Sequence, residues 1–144
     1  MDEPDPAFAP PVDAVTPERA RAMRRRVMER VADADPTHVT IEAGAAGWRP
    51  FVDGVSIKVL REHQGTMSYL LKLQPGAQVP AHRHPVDEEC IVLEGRLRVG
   101  SQVEIGPGGY HLAHRGALHA AIHSDTGATI FLRGAVPDGS QMLD

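Results

Sequence analysis

Hydrophobic and polar positions follow two different periods along this chain, and the change falls near residue 38. In the first part, apolar side chains recur close to the helical repeat, at Met23, Val27 and Val31, which indicates a helix with one apolar stripe. The run Thr16-Pro17-Glu18 is typical of a helix start, because it supplies a hydroxyl N-cap, a proline at the first helical position and an acid in the first turn. The pattern predicts one α-helix over residues 17–33.

Beyond residue 38, apolar and polar residues alternate in short runs bounded by Gly, Pro and Asp clusters. Alternation with a period of two is typical of strands that bury one face. About nine short runs at roughly ten-residue intervals favour an all-β sandwich or barrel. The predicted strands are residues 39–41, 55–60, 69–73, 90–93, 97–99, 103–105, 110–112, 119–123 and 129–132.

The two patterns divide the chain of 144 residues into two parts. Residues 1–37 form an acidic, Pro-rich arm followed by the basic amphipathic helix, and residues 38–144 form the β-domain. The composition of Met1–Val15 predicts a disordered or loosely docked arm and does not match a secretory signal. No apolar run approaches the ~18–20 residues of a membrane span, so we expect a cytoplasmic protein with no membrane contact.

Six arginines cover the remaining faces of the predicted helix: Arg19, Arg21, Arg24, Arg25, Arg26 and Arg30. Such a face suits contact with nucleic acid or a membrane surface, or it is a solvated face whose apolar stripe docks on the main domain or on a partner chain. We favour the second interpretation, because nearby acids offset the charge and no bulky aromatic residue is present to enter lipid. The net charge of −4 is also too small to indicate a nucleic-acid partner.

Eight histidines accompany a single cysteine, so any transition metal must be bound by imidazole and carboxylate. His82 and His84 point to the same face of an extended chain, and a short turn after them can bring Glu88 to the same point. A second His-rich segment offers a fourth candidate, His119. Ligands of this kind suit Zn, Fe, Mn, Ni or Cu.

The spacing of these residues resembles the two motifs of the cupins. The first motif (Gly, five residues, His-x-His, three or four residues, Glu, six residues, Gly) is matched by Gly76, His82, His84, Glu88 and Gly95. The second motif (Gly, five residues, Pro-x-Gly, two residues, His, three residues, Asn) is matched by Gly108, Gly116 and His119, with His114 at the proline position and His123 at the asparagine position.

The resemblance implies a cupin fold, an all-β double-stranded β-helix (an RmlC-like jelly-roll barrel), here preceded by one N-terminal α-helix. It also implies one divalent metal ion per chain, Zn or Fe first and Mn or Ni as alternatives, bound by His82, His84, Glu88 and His119. A homodimer and a small-molecule ligand in the barrel are further expectations from the family.

One branch of the family is closer than the others. Residues 75–77, 80–84, 88–95 and 109–113 resemble the cupin domain of ChrR-type anti-sigma factors, and the resemblance extends over roughly residues 40–134. In that branch an N-terminal helical domain with its own His/Cys zinc site grips the sigma factor, and the cupin domain binds metal and contributes to stress sensing. The only cysteine of this chain is Cys90, and only one histidine precedes residue 63, so that zinc site cannot be built, and sigma-factor binding is not expected.

Two functions remain open. The resemblance implies a sensory or regulatory metal-binding cupin. The alternative is a small metal-dependent dioxygenase that acts on a diketone or a hydroxylated aromatic substrate, since six-coordinate Fe(II) or Mn(II) leaves open positions where tetrahedral zinc leaves none. No nucleophile–base pair, phosphate loop or dinucleotide fingerprint is present in the sequence, so the catalytic residues of such an enzyme are not identified.

Cys90 and Tyr69 are candidate cavity residues. Cys90 has the strand parity of Glu88 and points inward, either as a small buried hydrophobe, which we favour, or as a redox-sensing thiol. Tyr69 lies in the core or lines the cavity. Glu89 competes with Glu88 as a ligand, but alternation sends it to the opposite face.

Three further histidines lie close to the second motif. His123 shares the parity of His119 if residues 119–123 form one strand, so it is a candidate neighbour of the metal ligands. His111 and His114 are expected at the rim or on the surface. The functional alternative for His114 is a group near the metal entrance that orients a ligand or carries a proton.

Overall fold

The computed structural model describes residues 15–34 and 37–137. The chain divides into two units, Met1–Thr40 and Ile41–Asp144. The predicted arm lies, apart from Val15, outside the described residues. The predicted boundary between residues 37 and 38 stays a prediction.

The predicted helix is present as α1, Pro17–Ala34. The backbone N–H of Arg19 donates to the Thr16 hydroxyl at 3.2 Å, which is the N-cap expected from the sequence. Within the described residues, no helix is long and apolar enough to cross a membrane.

The second unit consists of short strands that alternate between buried and exposed side chains. The strands are β1 Trp48–Val52, β2 Val55–His63, β3 Thr66–Leu73, β4 Gln78–Val79, β5 His82–Arg83, β6 Glu88–Gly95, β7 Leu97–Val99, β8 Val103–Ile105, β9 Tyr110–Ala113, β10 Leu118–His119, β11 Ile122–His123 and β12 Ala128–Ala135.

All strand pairs are antiparallel. A six-stranded sheet has the order β1-β2-β3-β12-β6-β9, a four-stranded sheet has the order β4-β11-β7-β8, and β10 pairs with β5 in a two-stranded ribbon. The inward side chains form one core, in which Ile57, Val92, Leu97 and Ile130 are almost fully enclosed. The predicted all-β jelly-roll architecture with one helix before it is confirmed.

The strand predicted at residues 39–41 is wrong, because this segment has no strand structure. The neighbouring turn at residues 42–45 is instead held by the buried Lys58, whose Nζ donates to the carbonyl of Ala45 at 2.8 Å and lies 3.3 Å from that of Glu42. Strand β1 was not predicted, since Pro50 interrupts its pattern. The strand tolerates this proline because β1 is an edge strand with a register shift at Pro50.

The single strand predicted over residues 119–123 is also wrong. The chain leaves the β5–β10 ribbon after His119 and enters the four-stranded sheet at Ile122. A two-residue step between sheets therefore breaks the parity on which the prediction for His123 depended. Strands β4 and β5 were not predicted either, because Pro80 separates them and each is only two residues long.

Gly95 shows why a motif position needs glycine. Its φ of 75° lies in the left-handed region, and a Cβ there would overlap the carbonyl oxygen of Gly127. Glycine at this position therefore lets β6 turn into β7 beside the start of β12. The turn fixes the end of the strand that begins at Glu88.

Candidate metal centre

Two imidazoles and one carboxylate meet inside the mouth of the barrel. His82 lies on β5, His84 follows that strand, and Glu88 begins β6. One ligand atom from each lies within 4.8 Å of the other two, and all three side chains are buried. Among the described residues this is the one group of three or more potential ligands that meets this distance.

His119 lies beside this group but is not within that distance of every member. It is the register partner of His82 in the β5–β10 ribbon, so both side chains point to the same side of the ribbon. Its ring centroid is 5.1 Å from that of His82 and 5.6 Å from that of His84, and its side chain is buried. The structure therefore brings together all four residues predicted as ligands.

Hydrogen bonds to carbonyl oxygens fix the tautomers of two of these rings. His82 Nδ1 lies 2.7 Å from the carbonyl oxygen of Pro80, and His119 Nδ1 lies 2.7 Å from that of Ala120. A carbonyl oxygen can only accept, so each Nδ1 carries the proton. Each Nε2 is left with a lone pair, which is the form in which imidazole binds a metal.

His84 carries a buried nitrogen that lacks a hydrogen bond. Its Nε2 finds no hydrogen-bond partner among the described residues, although it lies 3.3 Å from Glu88 Oε1. Burial, together with the nearby His82 and His119, lowers the pKa of His84 to about 4, so the ring is neutral at pH 7 and this contact is not an ion pair. A metal ion would satisfy an orphaned nitrogen of this kind, and the donor set of imidazole and carboxylate suits one.

The buried Tyr69 holds the carboxylate of Glu88. Its hydroxyl donates to Glu88 Oε2 at 2.9 Å, which leaves Oε1 facing His84. Burial raises the pKa of Glu88 to about 7, and the hydrogen bond from Tyr69 opposes this rise. Tyr69 therefore contacts a predicted ligand, whereas the sequence placed it only in the core or the cavity wall.

Gly134 on β12 gives Glu88 the space that it occupies. A Cβ at this glycine would lie 3.0 Å from Glu88 Cγ and 3.2 Å from Oε2, closer than an unstrained contact allows. No sequence pattern indicated this role, since the glycine lies near the end of a strand outside both motifs.

His111 lies closer to the group than the sequence indicated. Its ring centroid is 5.2 Å from that of His119, edge to face, and its side chain is half-buried. Burial lowers its pKa. His111 is the register partner of the inward-facing Cys90, so its side chain also points inward. The sequence could not show this, because the pairing joins two separate strands.

The structure does not place His114 or His123 among the predicted metal ligands. His114 is largely exposed, with Nδ1 3.7 Å from Asp87 Oδ1. His123 is half-buried on the four-stranded sheet, 3.6 Å from Asp125 Oδ1, and lines a separate depression with Arg96. The two departures from the second cupin motif therefore lie outside the cluster of the four predicted ligands.

Cys90 points inward from β6 and is buried. Burial raises its pKa to about 12, and the carboxylate of Glu88 adds to the rise, so it is a neutral thiol at pH 7. Glu89 lies on the opposite face, where it accepts a hydrogen bond from the Tyr110 hydroxyl at 3.0 Å, as alternation predicted.

Hydrogen bonds connect the segment at residues 83–87 to the segment at residues 115–116. The Arg83 guanidinium donates to the carbonyl of Gly116 at 2.8 Å, and the N–H of Gly116 donates to the carbonyl of His84 at 2.9 Å. The N–H of Arg115 donates to Asp87 Oδ1 at 2.7 Å. These bonds hold the segment before His119 against the segment that carries His84.

A cavity of about 30 Å³ adjoins the group, which is space for about two water-sized molecules. His82, His84 and Glu88 form its polar side. Its other walls are largely apolar and include Phe51, Leu71, Val79, Ile122 and Leu132. The site therefore combines convergent polar groups with an apolar enclosure, as small-molecule sites do.

An antiparallel jelly-roll barrel with buried His and Glu side chains at its mouth defines a cupin. A model of the ChrR cupin-like domain matches residues 36–136, which is most of the chain. The protein belongs to this ChrR cupin-like family, and the resemblance stated from the sequence is confirmed.

Several solved structures share the fold. Acetylacetone dioxygenase from Acinetobacter johnsonii is 15% identical over 76% of this chain and 87% of its own, with a TM-score of 0.58. KdgF from Halomonas sp. is 20% identical over 72% and 99%, with a TM-score of 0.61. A chain in the structure of Rhodobacter sphaeroides SigE in complex with the anti-sigma ChrR is 18% identical to this protein. The match covers 81% of this chain and 79% of that chain, with a TM-score of 0.58. At these identities the likeness shows the fold alone. The search of curated proteins found no match.

Proposed function

We propose that this protein is a regulatory cupin that holds one divalent metal ion, zinc or iron, through His82, His84, Glu88 and His119. The observation that carries the proposal is the orphaned Nε2 of His84, which lies in a buried group of three potential ligand atoms within 4.8 Å of one another. Membership of the ChrR cupin-like family supports the regulatory part.

Hydrogen bonds within the chain orient three of the proposed ligand side chains in the absence of a metal. His82 and His119 have tautomers that leave Nε2 free, and Tyr69 holds one oxygen of Glu88. A bound zinc ion would supply a redox-inert centre, and a bound Fe(II) ion would supply the capacity to bind O₂. The cavity of about 30 Å³ beside these residues has room for small ligands at the ion.

Metal analysis tests the proposal directly. The chain purified without added metal should contain close to one zinc or iron per chain by plasma mass spectrometry. His119→Ala should reduce that content to near zero, because it removes one of four ligands. His114→Ala is the matched control, since His114 belongs to the same motif but is largely exposed and lies beside Asp87. Equal metal content in both variants would refute the ligand assignment.

A metal-dependent dioxygenase is the second candidate. It is favoured by the apolar cavity wall beside the predicted ligands, and an acetylacetone dioxygenase shares the fold. The substrate class is a diketone or a hydroxylated aromatic compound. Oxygen uptake by the Fe(II)-loaded protein, coupled to loss of acetylacetone or a phenol, would establish this function. Tightly held zinc and no uptake across such a panel would favour the regulatory cupin.

The same proposal includes a homodimer and a cytoplasmic location. Sigma-factor binding is not part of it, because the single cysteine at position 90 lies in the barrel and no His/Cys zinc site is available in this sequence. Co-purification with sigma factors from a lysate, lost when α1 is altered, would contradict this view.

A further inference from the structure

The outer face of the six-stranded sheet carries two arginines on either side of a hydroxyl group. Ser68 on β3 is the register partner of Arg61 on β2 and of Arg133 on β12. Ser68 alternates with the buried Met67 and Tyr69 along β3, so this row points away from the core. Because neighbouring strands lie about 4.8 Å apart, the two arginines start about 10 Å from each other, with the serine between them.

The next outward pair extends this row toward the end of the sheet. His63 is the register partner of Thr66, and the two residues flank the turn between β2 and β3. Gln64 in that turn has a φ of 50° and is the one residue other than glycine with a positive φ among residues 15–34 and 37–137. Turns of this kind favour Asn or Gly at such a position, so a longer amide side chain here is unusual. The turn therefore adds an amide to the imidazole and the hydroxyl of the pair.

These side chains line one depression of about 190 Å³. Each lining residue can donate a hydrogen bond and none carries a carboxylate; they are Arg61, His63, Gln64, Thr66, Ser68 and Arg133. In the part of the chain that the structure describes, no carboxylate lies within 4.0 Å of either guanidinium. A depression with two guanidiniums and no acid has a positive potential, which attracts an anion.

The nearest acid along the row does not compensate these arginines. Glu89 is the register partner of Arg133, but its Oε1 accepts a hydrogen bond from the Tyr110 hydroxyl at 3.0 Å. On the smaller sheet, by contrast, Arg98 Nη2 lies 3.3 Å from Asp125 Oδ2. The arginines of the larger sheet are therefore available to an anion from solution.

A phosphate group matches this depression better than a carboxylate does. Guanidinium groups bind both anions in a bidentate manner. A phosphate monoester has three terminal oxygens and a charge of about −1.5 to −2 at pH 7, so it can balance two guanidiniums and still accept hydrogen bonds from Thr66 and Ser68. A carboxylate has two oxygens and a single charge, so it would leave part of this set without a partner.

A second depression, of about 390 Å³, adjoins the first, because Thr66 and Arg133 line both. Its other charged residues are Asp87, Glu89 and Arg115. Charges of both signs lie close together there, and their side chains offer donors as well as acceptors. Such surroundings suit a neutral hydroxylated group better than a second charged group.

We propose that this face binds a small phosphate monoester. Arg61, Ser68 and Arg133 contact its phosphate group, and its hydroxylated organic part lies in the adjoining depression. This site is separate from the proposed metal centre, because its side chains lie on the outer face of the sheet and the predicted metal ligands lie inside the barrel.

A ³¹P NMR titration of the full chain, at fixed pH and ionic strength, tests the proposal. Glycerol 3-phosphate should bind with a Kd of about 1 mM or below. Arg61→Gln and Arg133→Gln should each raise that Kd at least about tenfold, because each removes a charge-assisted contact. Arg98→Gln is the matched control, since it removes an exposed arginine that is paired with Asp125, and it should leave the Kd unchanged. Unchanged unfolding temperatures show that the variants fold.

The choice of ligand determines the remaining arms of the experiment. Inorganic phosphate should bind at least about threefold more weakly than glycerol 3-phosphate, because it lacks the hydroxylated part. Acetate at the same ionic strength should not displace either ligand. No binding of either phosphate, or equal losses in Arg98→Gln and Arg133→Gln, would overturn the site. Equal affinity for the two phosphates would overturn the role of the adjoining depression, and displacement by acetate would overturn the choice of phosphate.

The metal content of the same samples keeps this site distinct from the proposed metal centre. Arg61→Gln and Arg133→Gln should contain as much metal as the wild type, whatever that amount is. Loss of metal together with loss of phosphate binding would contradict the separation of the two sites. Phosphate binding by a chain that holds no metal would refute the proposed metal centre and leave the phosphate site intact.

Discussion

Histidines in the two cupin motifs fall into two groups that differ in burial and in their neighbours. His82, His84 and His119 are buried and lie within one cluster of rings. His114 and His123, from the second motif, lie beside aspartates at or near the surface. The two groups differ in their surroundings. In the first group, backbone carbonyls fix the tautomers of His82 and His119, and His84 lies beside the buried carboxyl group of Glu88. The histidines of the second group lie beside exposed aspartates. The same residue type is thus prepared for a metal in one place and for ordinary solvation in the other.

The largest expected effect comes from removing a buried histidine. His82→Ala should weaken metal binding by more than the ~10–100-fold that is typical of losing a supporting contact, because a ligand itself is lost. His123→Ala should change the affinity by less than about threefold. Competition with a chromophoric chelator measures both. A comparable loss of metal affinity in the two variants would show that buried and surface histidines do not differ in metal binding.

Removal of the Tyr69 hydroxyl should have the next largest effect. Tyr69→Phe frees Glu88 Oε2 and should weaken metal binding about 10–100-fold, with a changed visible spectrum of the cobalt-substituted protein. Tyr110→Phe is the matched control, because it removes a hydroxyl bonded to Glu89 on the opposite face of the strand. If the cobalt spectrum of Tyr69→Phe matched that of the wild type, Tyr69 would have no role in positioning Glu88.

A methyl group at Gly134 should have a smaller effect on both affinity and stability. Gly134→Ala places Cβ against the Glu88 side chain, and overpacking of this kind costs about 1–3 kcal/mol. Gly44→Ala meets nothing within 4 Å and should leave both properties unchanged. Urea unfolding of the metal-free proteins, together with chelator competition, checks the result. A Gly134→Ala protein as stable as the control and with normal affinity would show that Glu88 has room to move.

The smallest expected effect concerns Cys90. Burial keeps its pKa near 12, so the reactive thiolate forms only in strongly alkaline solution and the thiol persists at pH 8. Native protein should react with a thiol reagent at least about a hundredfold more slowly than unfolded protein, and Cys90→Ala should retain its metal. Rapid modification of the folded chain would instead favour the redox-sensing interpretation.

Parity along single strands could be predicted from the sequence, and register between strands could not. The spacing of His82 and His84, and the opposite directions of Glu88 and Glu89, follow from local alternation. The contacts of Tyr69 and Gly134 with Glu88 join strands that are distant in sequence, so no local pattern reports them. The prediction for His123 failed because parity holds only within one strand. The chain changes sheets after His119, so the two residues do not share a strand.

The ties between the two histidine-bearing loops have a consequence for the rates of metal exchange. Arg83, His84 and Asp87 hold the segment at Arg115 and Gly116 through hydrogen bonds within the chain. These bonds position the two segments without a bound ion, so a metal ion of the proposed kind would meet ligands that are already in place. Association then needs little rearrangement, and the stability gained from the metal follows its free concentration by mass action. A metal centre of the proposed kind would therefore respond reversibly to changes in metal supply.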